Sequence, residues 1–176
     1  MRSTSTLFRH RARRVKDVAR SATGNAQATL TLQRVFNASI ERVFQAWTEA
    51  EVLASWFGPV GFTVTVSEVN LRTGGKYLLV IRSPEGEEIK HFGEYVEVTP
   101  PERLVFTWLL ENQTCNGSKN QCAETLVSID FKRIDETTEV RLTHERLPNK
   151  EAYDGHQFGW SSTFDSCEYF LLTKPN

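Results

Sequence analysis

The sequence lacks any run of about eighteen apolar residues, the length that a helix needs to cross a bilayer. It also lacks the succession of a basic stretch, an apolar stretch and a cleavage site that marks a secretory signal. Only three cysteines occur, Cys115, Cys122 and Cys167, and the odd number favours reduced thiols. Cys115 and Cys122 flank a loop and could pair under oxidation, although unpaired thiols are the expected state. These absences exclude a transmembrane segment and predict a cytoplasmic protein.

Recognisable catalytic and metal-binding motifs are also missing. The chain has no Gly-x-Ser-x-Gly elbow, phosphate loop, dinucleotide fingerprint, His-Glu-x-x-His helix or Cys-x-x-Cys pair. None of the four histidines has a second histidine or cysteine at a metal-ligand spacing: His10, His91, His144 and His156. The last three are expected to be ordinary polar positions on strands and a helix, unless the fold brings them together. The sequence therefore predicts no metal and no cofactor.

Charge is divided unevenly along the chain. Lys and Arg number 21 and Asp and Glu 22, but seven of the bases and a single acid, Asp17, lie in residues 1–26. The remainder carries fourteen bases and twenty-one acids, and such a mildly acidic body disfavours a nucleic-acid surface. We therefore divide the chain into a basic, flexible extension over residues 1–26 and a folded domain over residues 27–176.

The basic extension has three open interpretations. Its apolar residues recur at helical spacing and share one face: Phe8, Ala12, Val15, Ala19 and Ala22. A basic amphipathic segment with few acids is typical of an organellar transit peptide, which would give an organellar location. Such a segment is equally suited to resting on an anionic membrane surface. The third interpretation is a solvated extension with no part in the work of the domain.

The domain opens with a strand and two short helices. Leu30, Leu32 and, after a slip, Val35 alternate with polar residues, which predicts a strand. Ser39 is placed to cap a first helix, because its hydroxyl can accept a hydrogen bond from a free N–H of the first turn. A second short helix fits residues 49–56.

Strand signals dominate the middle of the chain, and a helix closes it. Alternating residues bounded by turn signals predict six further strands, at 62–67, 77–82, 88–98, 103–110, 124–133 and 138–146. A polar loop is expected over 111–121. From about Glu151 the period changes to that of a helix of roughly twenty residues. Consecutive strands with tight turns indicate an antiparallel meander, and this helix is long enough to cover its apolar face.

Five stretches spread over residues 46–172 carry a more specific pattern. They are Ala46-Trp47-Thr48 running to Leu53-Ala54-Ser55-Trp56-Phe57-Gly58-Pro59, Gly74-Gly75-Lys76-Tyr77, Gly93-Glu94-Tyr95-Val96-Glu97-Val98, Pro100-Pro101-Glu102-Arg103-Leu104-Val105-Phe106-Thr107-Trp108 and His156-Gln157-Phe158-Gly159-Trp160. Together they resemble the homologues of the activator of the heat-shock-protein-ninety ATPase. These homologues belong to the START-related, birch-pollen-allergen-like (SRPBCC) superfamily.

The resemblance implies an α+β helix-grip fold. In that fold a curved antiparallel sheet of six to seven strands wraps around a long C-terminal helix, and two short helices follow the first strand. The resemblance implies no catalytic residues, because none are shared across the family. The family name adds two expectations, a chaperone as partner and a role in the stress response.

A sheet that grips one helix predicts an apolar pocket between them. The residues expected to line it are Trp56, Phe57, Tyr77, Leu79, Ile81, Phe106, Trp108, Leu142, His144, Phe158 and Phe164. Phe158 and Phe164 are expected to press down from the helix, and Arg82 or His144 could supply a polar anchor. Each residue is equally explained as plain core, because any sheet core needs alternating apolar side chains.

Three functions follow as hypotheses. The first is non-enzymatic binding of a small hydrophobic molecule in the pocket. The second is a cyclase- or hydrolase-like enzyme for an aromatic or polyketide-like substrate, as in some relatives of the superfamily. That enzyme would need an acid–base pair such as His144 with Glu68 or Glu94. The third is a protein-interaction module that modulates a chaperone.

Overall fold

An antiparallel sheet of seven strands forms the body of the domain. The computed structural model describes residues 27–111, 114–115, 118–119 and 124–174. Its strands are β1 (Ala28–Phe36), β2 (Thr63–Val69), β3 (Lys76–Arg82), β4 (Glu88–Thr99), β5 (Arg103–Leu110), β6 (Thr114–Cys115), β7 (Ser118–Lys119), β8 (Thr125–Ile134) and β9 (Thr137–Leu147). Its helices are α1 (Ile40–Thr48), α2 (Ala50–Trp56) and α3 (Lys150–Thr173).

The strand order confirms the helix-grip architecture. Across the sheet the order is β1-β9-β8-β5-β4-β3-β2, and every neighbouring pair is antiparallel. Consecutive strands lie side by side from β2 to β5 and again from β8 to β9, as the short turns predict. The short strands β6 and β7 pair with each other inside the predicted polar loop, which is therefore not wholly irregular. The helix α3 shares the hydrophobic core of the sheet.

A serine cap stabilises the first short helix, and one tryptophan links it to the second. Ser39 Oγ accepts from the backbone N–H of Arg42 at 3.4 Å, which confirms the predicted cap of α1. In α2, the indole Nε1 of Trp56 donates to the carbonyl oxygen of Ala46 at 2.9 Å. The donor of this buried ring is thereby satisfied, and the two helices are linked.

The strand β1 keeps strict alternation, so the predicted slip at Val35 is wrong. Val35 is exposed, and Phe36 is the buried residue after Leu32. Arg34 takes the position between them on the inner side, with its guanidinium 5.6 Å from the ring centroid of Phe164. Its head reaches out to Asp165 at 2.6 Å. A long basic side chain can cover a core residue in this way while its charge stays in water.

The buried stripe of α3 differs from the predicted one. Trp160, Phe164, Cys167 and Leu171 face the core at spacings of four, three and four residues. Phe158, expected to press down from the helix, is 75% exposed, because it lies two residues, and so more than half a turn, from Trp160. Phe158 therefore does not fill the space between the first turns of α3 and the sheet.

Two sequence-based expectations fall outside the described residues. One is the pairing of Cys115 with Cys122, and the other is the conformation and role of the basic extension over residues 1–26.

Gly93 provides a direct test of the packing between β4 and β5. A Cβ atom built on Gly93 would lie 2.0 Å from the carbonyl oxygen of Thr107, a backbone atom that cannot move without disturbing the ladder. We expect Gly93→Ala to lower the free energy of unfolding by at least about 2 kcal/mol, seen as a lower melting temperature by calorimetry. The neighbouring change Glu94→Ala, at an exposed position, is the control and should have little effect. Equal melting temperatures for the two variants would contradict the close approach.

Candidate binding cavity

A cavity of about 650 Å³ lies between the first turns of α3 and one end of the sheet. The α3 side is formed by Glu151, Ala152, Gly155, His156, Phe158, Gly159, Trp160 and Thr163. The opposite side is formed by the loop after α2 and by β3, β4 and β5, and its side chains include Phe57, Phe62, Ile81, Ile89, His91, Trp108 and Leu110. Glu151, Gly155 and Phe158 are exposed, so the cavity opens to solvent along the helix. This volume lies within the usual range for small-molecule sites, about 300–1,000 Å³.

Two glycines in α3 leave the cavity open. Gly155 and Gly159 are one turn apart, and a Cβ on either would meet no described atom within 4 Å. The helix backbone itself therefore forms part of the wall. Glycine inside a helix lowers stability by about 1 kcal/mol relative to alanine. The sequence thus carries two helix-weakening residues at the positions where larger side chains would fill the space.

Behind the cavity, a chain of hydrogen bonds joins α3 to the sheet. Trp160 Nε1 donates to His144 Nδ1 at 3.1 Å. His144 Nε2 lies 2.7 Å from Thr125 Oγ1, and that hydroxyl donates to the carbonyl oxygen of Trp108 at 3.0 Å. An indole N–H can only donate, so His144 Nδ1 carries no proton and Nε2–H donates to Thr125. The chain is satisfied at every link only when His144 is neutral.

His144 is therefore a structural residue. Its side chain is fully buried. Burial lowers the pKa of His144 to about 3, and the neighbouring His156 lowers it further in the same direction. Both ring nitrogens are already engaged, so His144 is not available as a general base or as an anchor for a ligand.

His91 and His156 have a different character, because each keeps a free ring nitrogen. His156 Nδ1 lies 2.7 Å from the carbonyl oxygen of Ala152, which can only accept, so the proton is on Nδ1. Within the described part of the chain, His156 Nε2 and His91 Nδ1 have no hydrogen-bond partner, and the same holds for Trp108 Nε1. Unpartnered buried nitrogens are uncommon in folded proteins, so three beside one cavity point to a missing polar partner.

The same environment keeps both of these imidazoles neutral. Burial lowers the pKa of His91 to about 3, with His156 adding to the effect. Burial also lowers the pKa of His156. The rings lie in one aromatic cluster, with His156 4.6 Å from His144 and His91 4.7 Å from Trp108 between ring centroids. Sequence spacing gave no sign of this convergence, since the three histidines come from β4, β9 and α3.

The residues predicted for the pocket fall into three groups. Phe57, Ile81, Trp108 and Phe158 line the large cavity, Phe158 from its rim. Tyr77, Leu79 and Phe106 line a second space of about 20 Å³, which holds at most one water. The rest are buried in the core and do not line the large cavity: Trp56, Leu142, His144 and Phe164. Whether any of them contacts a ligand stays a prediction.

The polar partners considered from the sequence do not reach the cavity. Arg82 pairs with Glu88 at 2.7 Å on an exposed part of β3 and β4. Glu68 and Glu94, proposed as partners of His144 in an acid–base pair, are both exposed. That pair is therefore absent. Sequence reasoning missed His91, His156 and the two helix glycines, although glycines inside a predicted helix were a signal of a special position.

Two other features are absent from the described part of the chain. No cluster of three or more His, Cys, Asp or Glu side chains that could hold a metal occurs among them. None of the helices described is both long and apolar enough to cross a membrane.

Comparison with known proteins identifies similar chains. A family model described as "Activator of Hsp90 ATPase homolog 1-like protein" matches residues 37–170. An AHSA1 protein from Silicibacter pomeroyi is 26% identical with a TM-score of 0.71, and the match covers 82% of this chain and 98% of that one. A protein from Chromobacterium violaceum is 24% identical with a TM-score of 0.72, covering 84% and 98%. One from Nitrosomonas europaea is 22% identical with a TM-score of 0.69, covering 86% and 97%. No curated protein matches the chain.

The buried imidazoles make stability depend on pH. The pKa values of His91 and His144 are near 3 in the folded state and about 6.5 in the unfolded chain. The unfolded state therefore binds more protons below about pH 6.5, so stability is present above that pH and is lost as the pH falls towards about 3. Each histidine contributes a slope of up to about 1.4 kcal/mol per pH unit.

We expect His91→Phe to remove one of these slopes. The free energy of unfolding, measured by urea denaturation between about pH 7 and about pH 4.5, should fall less steeply than in the wild type. Tyr153→Phe, on a residue of α3 outside the cavity lining, is the control and should keep the wild-type slope. The same slope in His91→Phe and the wild type would show that His91 titrates normally.

Proposed function

The chain belongs to the family of activator of Hsp90 ATPase homologue 1-like proteins, and from that premise we propose that it binds a small hydrophobic molecule in the cavity beneath α3, without catalysis. The observation that carries the proposal is the cavity itself, about 650 Å³ with a largely apolar wall of aromatic and aliphatic side chains. The fold supports it as well, because helix-grip proteins commonly bind hydrophobic ligands.

The helix glycines add a second support. A packed interior would be more stable with alanine or a larger residue at Gly155 and Gly159, since each glycine weakens the helix and leaves space. Proteins commonly give up stability at sites that serve a function. The position of the two glycines on the wall of the cavity fits a space that is kept open for a ligand.

The chemistry of the wall favours binding over catalysis. His144 is locked in a satisfied hydrogen-bond chain, and the exposed Glu68 and Glu94 supply no carboxylate to it. Glu151 is the one carboxylate among the described lining residues, and it lies at the exposed rim. An acid–base enzyme needs a proton donor and acceptor in contact with the substrate. A chaperone partner, a stress-response role and a cytoplasmic location stay predictions from the family resemblance and the sequence.

A variant that fills the cavity tests ligand binding without destabilising the fold. We expect Gly159→Leu to raise the melting temperature of the free protein, because it adds helix propensity and buries apolar surface in open space. The same variant should lose the stabilisation that small aromatic and aliphatic molecules give the wild type. In a thermal-shift screen, a ligand at a hundredfold excess over its Kd should stabilise the wild type by about 2.7 kcal/mol.

Tyr169→Leu is the matched control, at a 71% exposed position of the same helix. It should keep every ligand response of the wild type. Ligand shifts of equal size in Gly159→Leu and the wild type would place binding elsewhere. A wild type that responds to no compound would count against the proposed function.

A further inference from the structure

We infer that the ligand of this cavity carries a neutral hydroxyl group, as an alcohol or a phenol, and that this group lies against His91, Trp108 and His156. The inference rests on the ligand-binding function proposed above and narrows it to a chemical class. It starts from the hydrogen-bonding capacity that the protein leaves unused beside the cavity.

The unused capacity includes one fixed donor and one fixed acceptor. Trp108 Nε1–H can only donate. His156 Nε2 can only accept, because the proton of the neutral ring lies on Nδ1, which donates to Ala152 at 2.7 Å. His91 Nδ1 is the third unpartnered nitrogen, in a residue that is 8% exposed. Over the residues described, none of the three atoms has a partner.

A hydroxyl group combines the acceptor and the donor that these nitrogens lack. Its proton can be donated to His156 Nε2, and its lone pairs can accept from Trp108 Nε1–H. A carbonyl or a carboxylate only accepts, so it would leave His156 Nε2 facing another lone pair. An ammonium group only donates, so it would leave the indole N–H unpaired. Leaving a buried polar group unpaired weakens binding more than a missing apolar contact does.

The charge of the surroundings favours a neutral group. Glu151 is the one Asp, Glu, Lys or Arg among the described lining residues, and it is exposed at the rim. A buried carboxylate would therefore meet no fixed positive charge near the imidazoles. To form an ion pair it would have to protonate one of them, against the burial that keeps these rings neutral. A hydroxyl needs no such change.

The rest of the cavity wall indicates the chemical nature of the rest of the ligand. Phe57, Phe62, Ile81, Ile89 and Leu110 form the side of the cavity opposite α3, and all are apolar. His91, Trp108 and Trp160 add flat ring surface at the polar end, where Trp108 and Trp160 lie 4.8 Å apart between centroids. A ring system or a branched hydrocarbon with one hydroxyl fits a wall of this kind.

The test compares three probes of one shape on the full-length protein: 2-naphthol, naphthalene and 2-naphthoate. Quenching of tryptophan fluorescence gives the Kd of each. We expect 2-naphthol to bind about tenfold more tightly than naphthalene, as two ordinary hydrogen bonds would give. We expect 2-naphthoate to bind more weakly than naphthalene. These comparisons in the wild type need no variant.

Two variants then assign the hydroxyl to its partners. His156→Phe removes the acceptor and Trp108→Phe removes the donor, and each should reduce the advantage of 2-naphthol over naphthalene at least threefold. The affinity of each variant for naphthalene is measured as well and serves as the reference from which that advantage is calculated. Tyr153→Phe, a change on the same helix outside the cavity lining, should leave all three affinities unchanged. A far-ultraviolet circular dichroism melt checks that each variant is folded.

The outcomes separate this inference from the function on which it rests. If 2-naphthol and naphthalene bind equally and Gly159→Leu blocks both, the cavity binds ligands but the inference of a hydroxyl is wrong. Tightest binding of 2-naphthoate would overturn it as well. If none of the three probes binds the wild type, both the inference and the proposed function fail.

Discussion

The hydrogen-bond chain from Trp160 through His144 and Thr125 to Trp108 is the constraint on which the rest of the site depends. It connects α3 to β9, β8 and β5, so it fixes the height and rotation of the helix over the sheet. Every link is satisfied with a neutral His144, whereas a protonated ring would set an N–H against the N–H of Trp160. Loss of one member would leave the others buried without partners, which is more destabilising than the loss of a hydrogen bond in water.

These hydrogen bonds hold α3 at Trp160, and the two halves of the helix on either side of it have different roles. After Trp160, the buried stripe of Phe164, Cys167 and Leu171 packs against the core. Before it, Gly155 and Gly159 present backbone, and the space beneath them stays open. His156 lies between the glycines and, with its Nε2 unpartnered over the described residues, sets a polar end to an otherwise apolar cavity. The site therefore combines weak helix propensity with unused hydrogen-bonding capacity, both of which lower the stability of the free protein.

Much of the fold was predictable from the sequence, because its signals are local. Ser39 could be identified as a cap from its place before an apolar helical face, and the strands followed from alternation between turn residues. It was harder to predict which residues of a strand or helix face the core. Val35 and Phe36 are both apolar, so either could have been the buried one. Arg34 occupies an inner position where alternation alone predicts an apolar residue. Phe158 and Trp160 are both aromatic, and which one faces the core depends on the placement of α3.

The cavity was less predictable than the fold, for a physical reason. The convergence of His91, His144 and His156 depends on strand order and register across β4, β5, β8 and β9, which no local pattern encodes. The resemblance to a helix-grip family indicated that a pocket should exist, and Phe57, Ile81, Trp108 and Phe158 do line the cavity. The resemblance could not distinguish these lining residues from Leu142 or Phe164. Those two follow the same strand or helix periodicity but lie in the core. A void is defined by what the side chains fail to fill, and that is a property of the whole packing.

The protonation of the imidazole rings tests the central claim most directly. Two-bond nitrogen–proton correlation spectra of the uniformly labelled protein distinguish Nδ1–H, Nε2–H and doubly protonated rings for each histidine. The structure predicts opposite neutral tautomers, Nε2–H for His144 and Nδ1–H for His156, and predicts that His144 stays neutral from about pH 7.5 to about pH 5. A His144 that carries its proton on Nδ1, or that titrates near about pH 6.5 in the folded protein, would contradict the hydrogen-bond chain and the placement of α3 that follows from it.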